Sequence, residues 1–145
     1  MSYMRKGIDS IGISIVTFCH DGDGNYLFQK RSTNCRDEHG RWDPGGGALE
    51  LHDSVEDTIH REVKEEYGTD VRSFEFLGYR DVHREHEGNA THWIGLDFKV
   101  LVDRGKVHNG EPHKFDEIAW FKLDALPEAL HSQLPYALDK YRDRL

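Results

Sequence analysis

Apolar positions along the chain follow two periods. Ile11 to Cys19 (Ile-Gly-Ile-Ser-Ile-Val-Thr-Phe-Cys) is rich in β-branched and aromatic residues and predicts a strand. The turn-forming run Asp21-Gly-Asp-Gly-Asn25 follows, and Tyr26 to Arg31 resumes as a strand, so a hairpin is expected. Ser32 to Gly40 is polar and reads as a loop. Trp42-Asp43-Pro44-Gly45-Gly46-Gly47 is expected to end regular structure, because proline removes a donor and the glycines admit positive φ. Val55, Ile59, Val63 and Tyr67 then recur at the helical period, with Ser54 as N-cap, Asp57 three residues on and Gly68 as the stop. Phe74 to Tyr79, Trp93 to Val102 and Ile118 to Leu123 read as strands, and Gly105 to Phe115 as a polar loop. Leu134, Leu138, Tyr141 and Leu145 predict a last helix of about three turns. Strands, helix, strands, helix is the order of an α/β sandwich with a mixed sheet.

At 145 residues, with 37% hydrophobic and 11% aromatic positions, one domain spanning 1–145 can bury a core without a metal or disulfide staple. No apolar run approaches the ~18 residues of a membrane span, and Met1 to Ile15 lacks the apolar stretch of a signal peptide. Cys19 and Cys35 have neither disulfide-framework nor zinc-ribbon spacing, so the reducing cytoplasm is the expected address. Net charge is −8, and all of it falls in residues 48–145, since residues 1–47 balance to zero. A nucleic-acid polymer or an anionic membrane is therefore disfavoured as partner. An anionic substrate would need a cation between it and this protein.

Such a cation has a candidate place in Arg61-Glu62-Val63-Lys64-Glu65-Glu66. On a helix, Glu62, Glu65 and Glu66 fall within an arc of about 100°. Like charges at these spacings cost a few tenths of a kcal/mol per pair, and the C-terminal half of a helix disfavours anions. A divalent cation would relieve both costs, and hard oxygen donors favour Mg²⁺, Mn²⁺ or Ca²⁺ over zinc. A solvated acidic face partnered by Lys64 and Arg61 is the plainer alternative.

The stretch Gly47-x5-Asp53-x7-Arg61-Glu62-Val63-x-Glu65-Glu66-x-Gly68-Thr69 resembles the Nudix box of the Nudix (MutT-like) hydrolases, Gly-x5-Glu-x7-Arg-Glu-U-x-Glu-Glu-x-Gly-U, with U a bulky aliphatic. Six of the seven fixed residues match, Val63 fits the first U, and Pro44-Gly45-Gly46 and Glu50 resemble the family's flanks. Asp53 replaces the first box Glu, Thr69 replaces the final aliphatic, and His52 stands where many members have Gly. The resemblance implies a Nudix-type α/β/α sandwich over nearly the whole chain. It also implies that Asp53, one methylene short, could still pair with Arg61 if the loop shifts slightly, with weakened support for the box rather than loss of the site.

The resemblance further implies a Mg²⁺-dependent hydrolase, with Mn²⁺ as a second possibility, that cleaves a small-molecule nucleoside diphosphate derivative by water attack at phosphorus. Glu62, Glu65 and Glu66 are then metal ligands with Gly47 as a further one, and Glu65, Glu66 and Arg61 serve catalysis. Glu117 resembles a MutT-like acid outside the box and is the candidate general base, with Glu111 and Asp116 competing. Arg31 and Lys114 are candidate phosphate contacts. Trp42, Tyr79 and Trp93 could stack a nucleobase or belong to the core. His83, His86 and His92 could hold a transition metal, but they lie in a segment that reads as a solvated or lid-forming loop, without zinc spacing. A nucleoside triphosphate is the first substrate expected, and a nucleotide sugar or ADP-ribose the second. A weakly catalytic nucleotide sensor is the non-enzymatic alternative, and an RNA 5′-end hydrolase is disfavoured by charge. Monomer and homodimer both remain open.

Overall fold

A computed structural model describes residues 3–145, with strands β1 (Gly12–His20), β2 (Asn25–Arg31), β3 (Trp42–Asp43) and β4 (Gly45–Ala48) preceding helix α1 (Val55–Tyr67). Strands β5 (Val71–His86), β6 (Asn89–Val102) and β7 (Phe115–Lys122) and helix α2 (Leu134–Lys140) complete it. β1 runs parallel to β6, from Gly12↔Trp93 to His20↔Leu101, and every other pairing between the named strands is antiparallel. The sheet is therefore mixed. It forks at β1, whose first half pairs with β4 while His20 meets Tyr26 of β2.

Side-chain alternation builds the sandwich. Ile15 and Cys19 of β1 and Leu27 of β2 point to one face, where Ile59, Val63 and Tyr67 of α1 close over them. Phe18, Tyr26 and Phe28 point to the other and meet Leu134, Ala137 and Tyr141 of α2. Burial of Cys19 pushes its thiol up to about 12, so it behaves as a core residue. Among the described residues, no helix is long and apolar enough to cross a membrane.

α1 begins and ends where expected. The Ser54 hydroxyl accepts the Asp57 N–H at 3.0 Å, and Gly68, at φ 67°, donates its N–H to the Lys64 carbonyl at 2.9 Å. His52 adopts φ 76°, a left-handed conformation that glycine takes without steric cost.

Four expectations need correction. Trp42 to Ala48 does not end regular structure, because β3 pairs with β2 and β4 pairs with β1. The segment from Arg80 to His92 is not a loop: β5 and β6 run on as a ribbon to a Glu87-Gly88 turn, both residues at positive φ, as a two-residue type I′ hairpin turn requires. β7 starts at Phe115, three residues early. α2 has seven residues because Pro135 opens it and the chain after Tyr141 passes into turns. Arg144 fastens that end to β5, donating to the Leu77 and Phe76 carbonyls at 2.7 and 2.8 Å.

A charged network sits where β5, β6 and α2 meet. Arg80 donates twice to Asp97, at 2.7 and 2.8 Å, and the Tyr141 hydroxyl donates to the same carboxylate at 2.6 Å. Asp97 is fully buried, so its removal strands a buried guanidinium. Asp97→Ala is expected to cost ~3–5 kcal/mol, and Tyr141→Phe about 1–2 kcal/mol. Urea unfolding measures both; a loss below about 1 kcal/mol for Asp97→Ala would show that water replaces the carboxylate.

Candidate active site

The core stripe of α1 fixes where its acids go. With Ile59, Val63 and Tyr67 packed on the sheet, Glu62 and Glu66 are turned toward β4. Glu66 is 2% exposed, and its Oε1 accepts the Gly46 N–H at 2.9 Å. Gln29 braces the same spot: its Oε1 accepts the Tyr67 hydroxyl at 3.0 Å, and its Nε2 donates to the Pro44 carbonyl at 3.4 Å. The approach of strand to helix needs glycine. A Cβ on Gly47 would lie 2.6 Å from the Glu62 carboxyl group, and one on Gly46 (φ 142°) would overlap the Ile15 carbonyl.

A third acid arrives from the loop between β6 and β7. His108 N–H donates to the Tyr67 carbonyl at 3.0 Å and Gly110 N–H to the Glu66 carbonyl at 2.9 Å, satisfying acceptors that the helix end leaves free. Asn109 then accepts the Glu111 N–H at 3.1 Å and donates to the Phe115 carbonyl at 2.8 Å. Glu111 is thereby held at the cleft with Glu62 and Glu66.

Burial pushes the Glu66 carboxyl well up, against the stabilising Gly46 N–H and the nearby Gln29 amide, and the charges of Glu62 and Glu111 add to the rise. Burial also raises Glu62, with Glu65 adding to it and Arg61 opposing. The nearest cations are Lys114, 3.5 Å from Glu111, and Arg61, 3.6 Å from Glu62. Arg61 is itself held at 2.8 Å by Asp53, so the shortened acid still pairs. The cluster offers oxygen donors and neither imidazole nor thiolate, and the absence of a side chain at Gly47 lets the Glu62 carboxyl lie against the β4 backbone at the cleft. These residues fit a hard divalent cation such as Mg²⁺ or Mn²⁺.

Glu62, Glu66, Glu111, Gly47, Arg31 and Lys114 all line one cleft of about 470 Å³. Glu65 is exposed and lies outside its lining. Glu117 and Asp116 are also exposed and outside it, on β7, so of the three acids expected after the box Glu111 is the one that faces the cleft. Trp42 does not face the cleft: it is a core residue edge-on to Phe121 at 5.1 Å, on the α2 side of the sheet. Tyr79 is exposed elsewhere, which leaves Trp93 as the cleft's tryptophan.

Arg31 is engaged by Asp37 at 3.2 Å and Asp43 at 3.5 Å, whereas Arg36 and Lys114 remain half exposed at the rim. The sequence reading missed Arg80, Arg84 and Asp43. The two arginines flank Val82 on the cleft side of β5, a period-two face whose mostly polar side chains carry no hydrophobic signal.

Residues 11–141 match the NUDIX domain family. A MutT NUDIX hydrolase from Burkholderia pseudomallei has a similar structure, with TM-score 0.77 at 26% identity, covering 90% of this chain and 98% of that one. The MutT protein from Methanosarcina mazei Go1 gives 0.73 at 25% identity, with 92% and 91% covered. The NAD-capped RNA hydrolase NudC of Pseudomonas aeruginosa (strain LESB58) is 31% identical over 100 residues, 68% of this chain and 34% of the relative. The oxidized purine nucleoside triphosphate hydrolase of Mus musculus is 32% identical over 100 residues, 62% of this chain and 54% of the relative. The chain thus spans a third to about half of the length of these curated relatives.

A raised carboxyl binds its proton more tightly in the native state than in the unfolded chain. This contribution to metal-free stability is therefore greatest at acid pH and declines as pH rises from the ordinary glutamate range through the raised value. Glu66→Gln removes that titration and keeps an oxygen for the Gly46 N–H. In EDTA at about pH 8 the variant is expected to melt above the wild type, with the gap closing toward pH 5. Added Mg²⁺ should lift the wild type only. Parallel melting curves at every pH would contradict the buried-charge reading.

Proposed function

The chain belongs to the Nudix pyrophosphohydrolase family, and on that premise we propose that it cleaves the pyrophosphate linkage of a nucleoside triphosphate or a related nucleoside diphosphate derivative. The observation that carries this reading is the convergence of Glu62, Glu66 and Glu111 on a cleft of about 470 Å³, a volume suited to a small molecule. Glu62, Glu66 and Glu111, with Gly47 and the neighbouring Glu65, are the groups that would hold Mg²⁺ or Mn²⁺. A divalent ion held there would supply the positive charge that lets a polyanion approach three carboxylates, and would polarise water for attack at phosphorus.

The chain's own groups do the rest. Arg61, fixed by Asp53, keeps Glu62 oriented. Glu111 is the general base of choice in place of Glu117, because it faces the cleft: water attacks phosphorus, its proton passes to the Glu111 carboxylate, and a phosphate oxygen leaves. Lys114 and Arg36, half exposed at the rim and paired only at 3.5 Å with Glu111 and 3.9 Å with Asp37, are the cations placed to meet phosphate. Arg31 shapes the wall through Asp37 and Asp43. Trp93 offers the face for a nucleobase, in place of Trp42.

The relative that acts on oxidized purine nucleoside triphosphates supports a triphosphate as first choice. The net charge of −8 weighs against the capped RNA of the other. A slow-turnover sensor leaned on the change to Asp53, and the 2.8 Å pair with Arg61 weighs against it.

A panel of nucleoside triphosphates, nucleotide sugars, dinucleoside polyphosphates and ADP-ribose, assayed with Mg²⁺ and with Mn²⁺, tests the substrate class. On the best substrate, Glu111→Gln is expected to lower kcat ~100-fold or more, while Glu117→Gln stays within about twofold. The reverse order would restore Glu117 as base. No turnover of any panel member with either ion would overturn the enzymatic reading.

A further inference from the structure

The β5–β6 ribbon has two faces. One lines the cleft through Arg80, Val82 and Arg84 of β5 and Thr91 and Trp93 of β6. The residues between them, Asp81, His83 and His92, stand on the opposite face. His83 and His92 are directly paired across the two strands, and Asp81 lies two residues before His83 on the same strand face. The imidazole centroids are 4.1 Å apart with planes inclined by 30°, and His92 Nε2 lies 2.9 Å from Asp81 Oδ1. One ligand atom from each of the three residues lies within 4.8 Å of both others. A cavity of about 290 Å³ opens beside the rings, and residues 7–11 form its other wall. That wall is fastened by the His92 N–H, which donates to the Gly7 carbonyl at 2.7 Å.

We propose that Asp81, His83 and His92 form a second metal site, separate from the acidic cluster, that takes a borderline divalent transition ion such as Zn²⁺. The donor chemistry sets the class. Two imidazoles and one carboxylate suit zinc, nickel or copper and disfavour Mg²⁺ and Ca²⁺, which prefer all-oxygen ligation. The backbone sets the geometry: a strand pair holds three ligands on one face, and the cavity beside them leaves room for water to complete the coordination. The ligands come from both strands, so the ion joins β5 to β6 behind the face that lines the cleft.

Calorimetric titration with ZnCl₂, in millimolar Mg²⁺ to occupy the oxygen-lined cluster, tests the site on the full chain. The wild type is expected to take up one equivalent at micromolar Zn²⁺ and to melt about 5 °C or more higher when saturated. His83→Gln and His92→Gln should each weaken uptake at least about tenfold, because each removes a ligand. His86→Gln, on the same strand and outside the triad, should bind as the wild type does. Co²⁺ provides a second reading: its visible absorption should appear with the wild type and vanish in the His83→Gln/His92→Gln double variant. Three results would overturn the proposal: no Zn²⁺ uptake at micromolar concentration, equal uptake by the wild type and the double variant, or uptake abolished by Glu66→Gln but kept by the double variant. The last would place the ion at the acidic cluster alone. The three residues are exposed or half-buried at the surface, so melting of the metal-free variants should match the wild type.

Discussion

A carboxylate with almost no access to water governs the arrangement around it. Glu66 is 2% exposed and shares its surroundings with Glu62 and Glu111. Its hydrogen bond from the Gly46 N–H and the neighbouring Gln29 amide do not offset the loss of solvent, and its proton affinity rises. The glycines of β4 have no side chain because the Glu62 carboxyl and the Ile15 carbonyl occupy that space. Asp53 and Arg61 restrain the helix face, and the loop after β6 is docked on carbonyls of α1 so that Glu111 completes the cluster. Each feature brings carboxylates together where access to water is reduced, an arrangement that suits a divalent cation.

The sequence showed those parts whose physics is local. A four-residue apolar period, a serine cap and a terminal glycine define α1 without reference to the rest of the chain, and the Gly-rich lead-in and acid spacing identify the box. The inward alternation of β1 and β2 was readable too. The outer half of the β5–β6 ribbon was hidden because neither of its faces is apolar: one presents arginines to a cleft and the other histidines and acids to solvent. Period-two hydrophobicity has nothing to register there. The remaining signal was the turn, Glu87-Gly88, a weaker hairpin mark than Asn-Gly.

Site residues outside the box divide along the same line. Glu111 and Glu117 are six positions apart on one loop-to-strand segment, and no local pattern tells which faces the cleft. Hydrogen bonds from His108 and Gly110 to α1 decide it, and these exist only once helix and loop are docked. Trp42 was equally ambiguous, because an aromatic beside a glycine-rich strand serves a nucleobase or a core. Its contact with Phe121 assigns it to the core. Arg31 reaches the cleft, but two aspartates engage it, so its place in a wall could not be told from a place against phosphate by sequence position.

We infer that a divalent cation binding among Glu62, Glu66 and Glu111 would displace the proton that burial favours on Glu66. The most direct measurement is Mg²⁺ titration by calorimetry in buffers of different ionisation enthalpy, which counts protons released per ion bound. Uptake with net proton release is expected at about pH 6, shrinking as pH rises, with that release lost in Glu66→Gln. Mg²⁺ uptake without proton release, identical in wild type and variant, or no uptake at all, would contradict it.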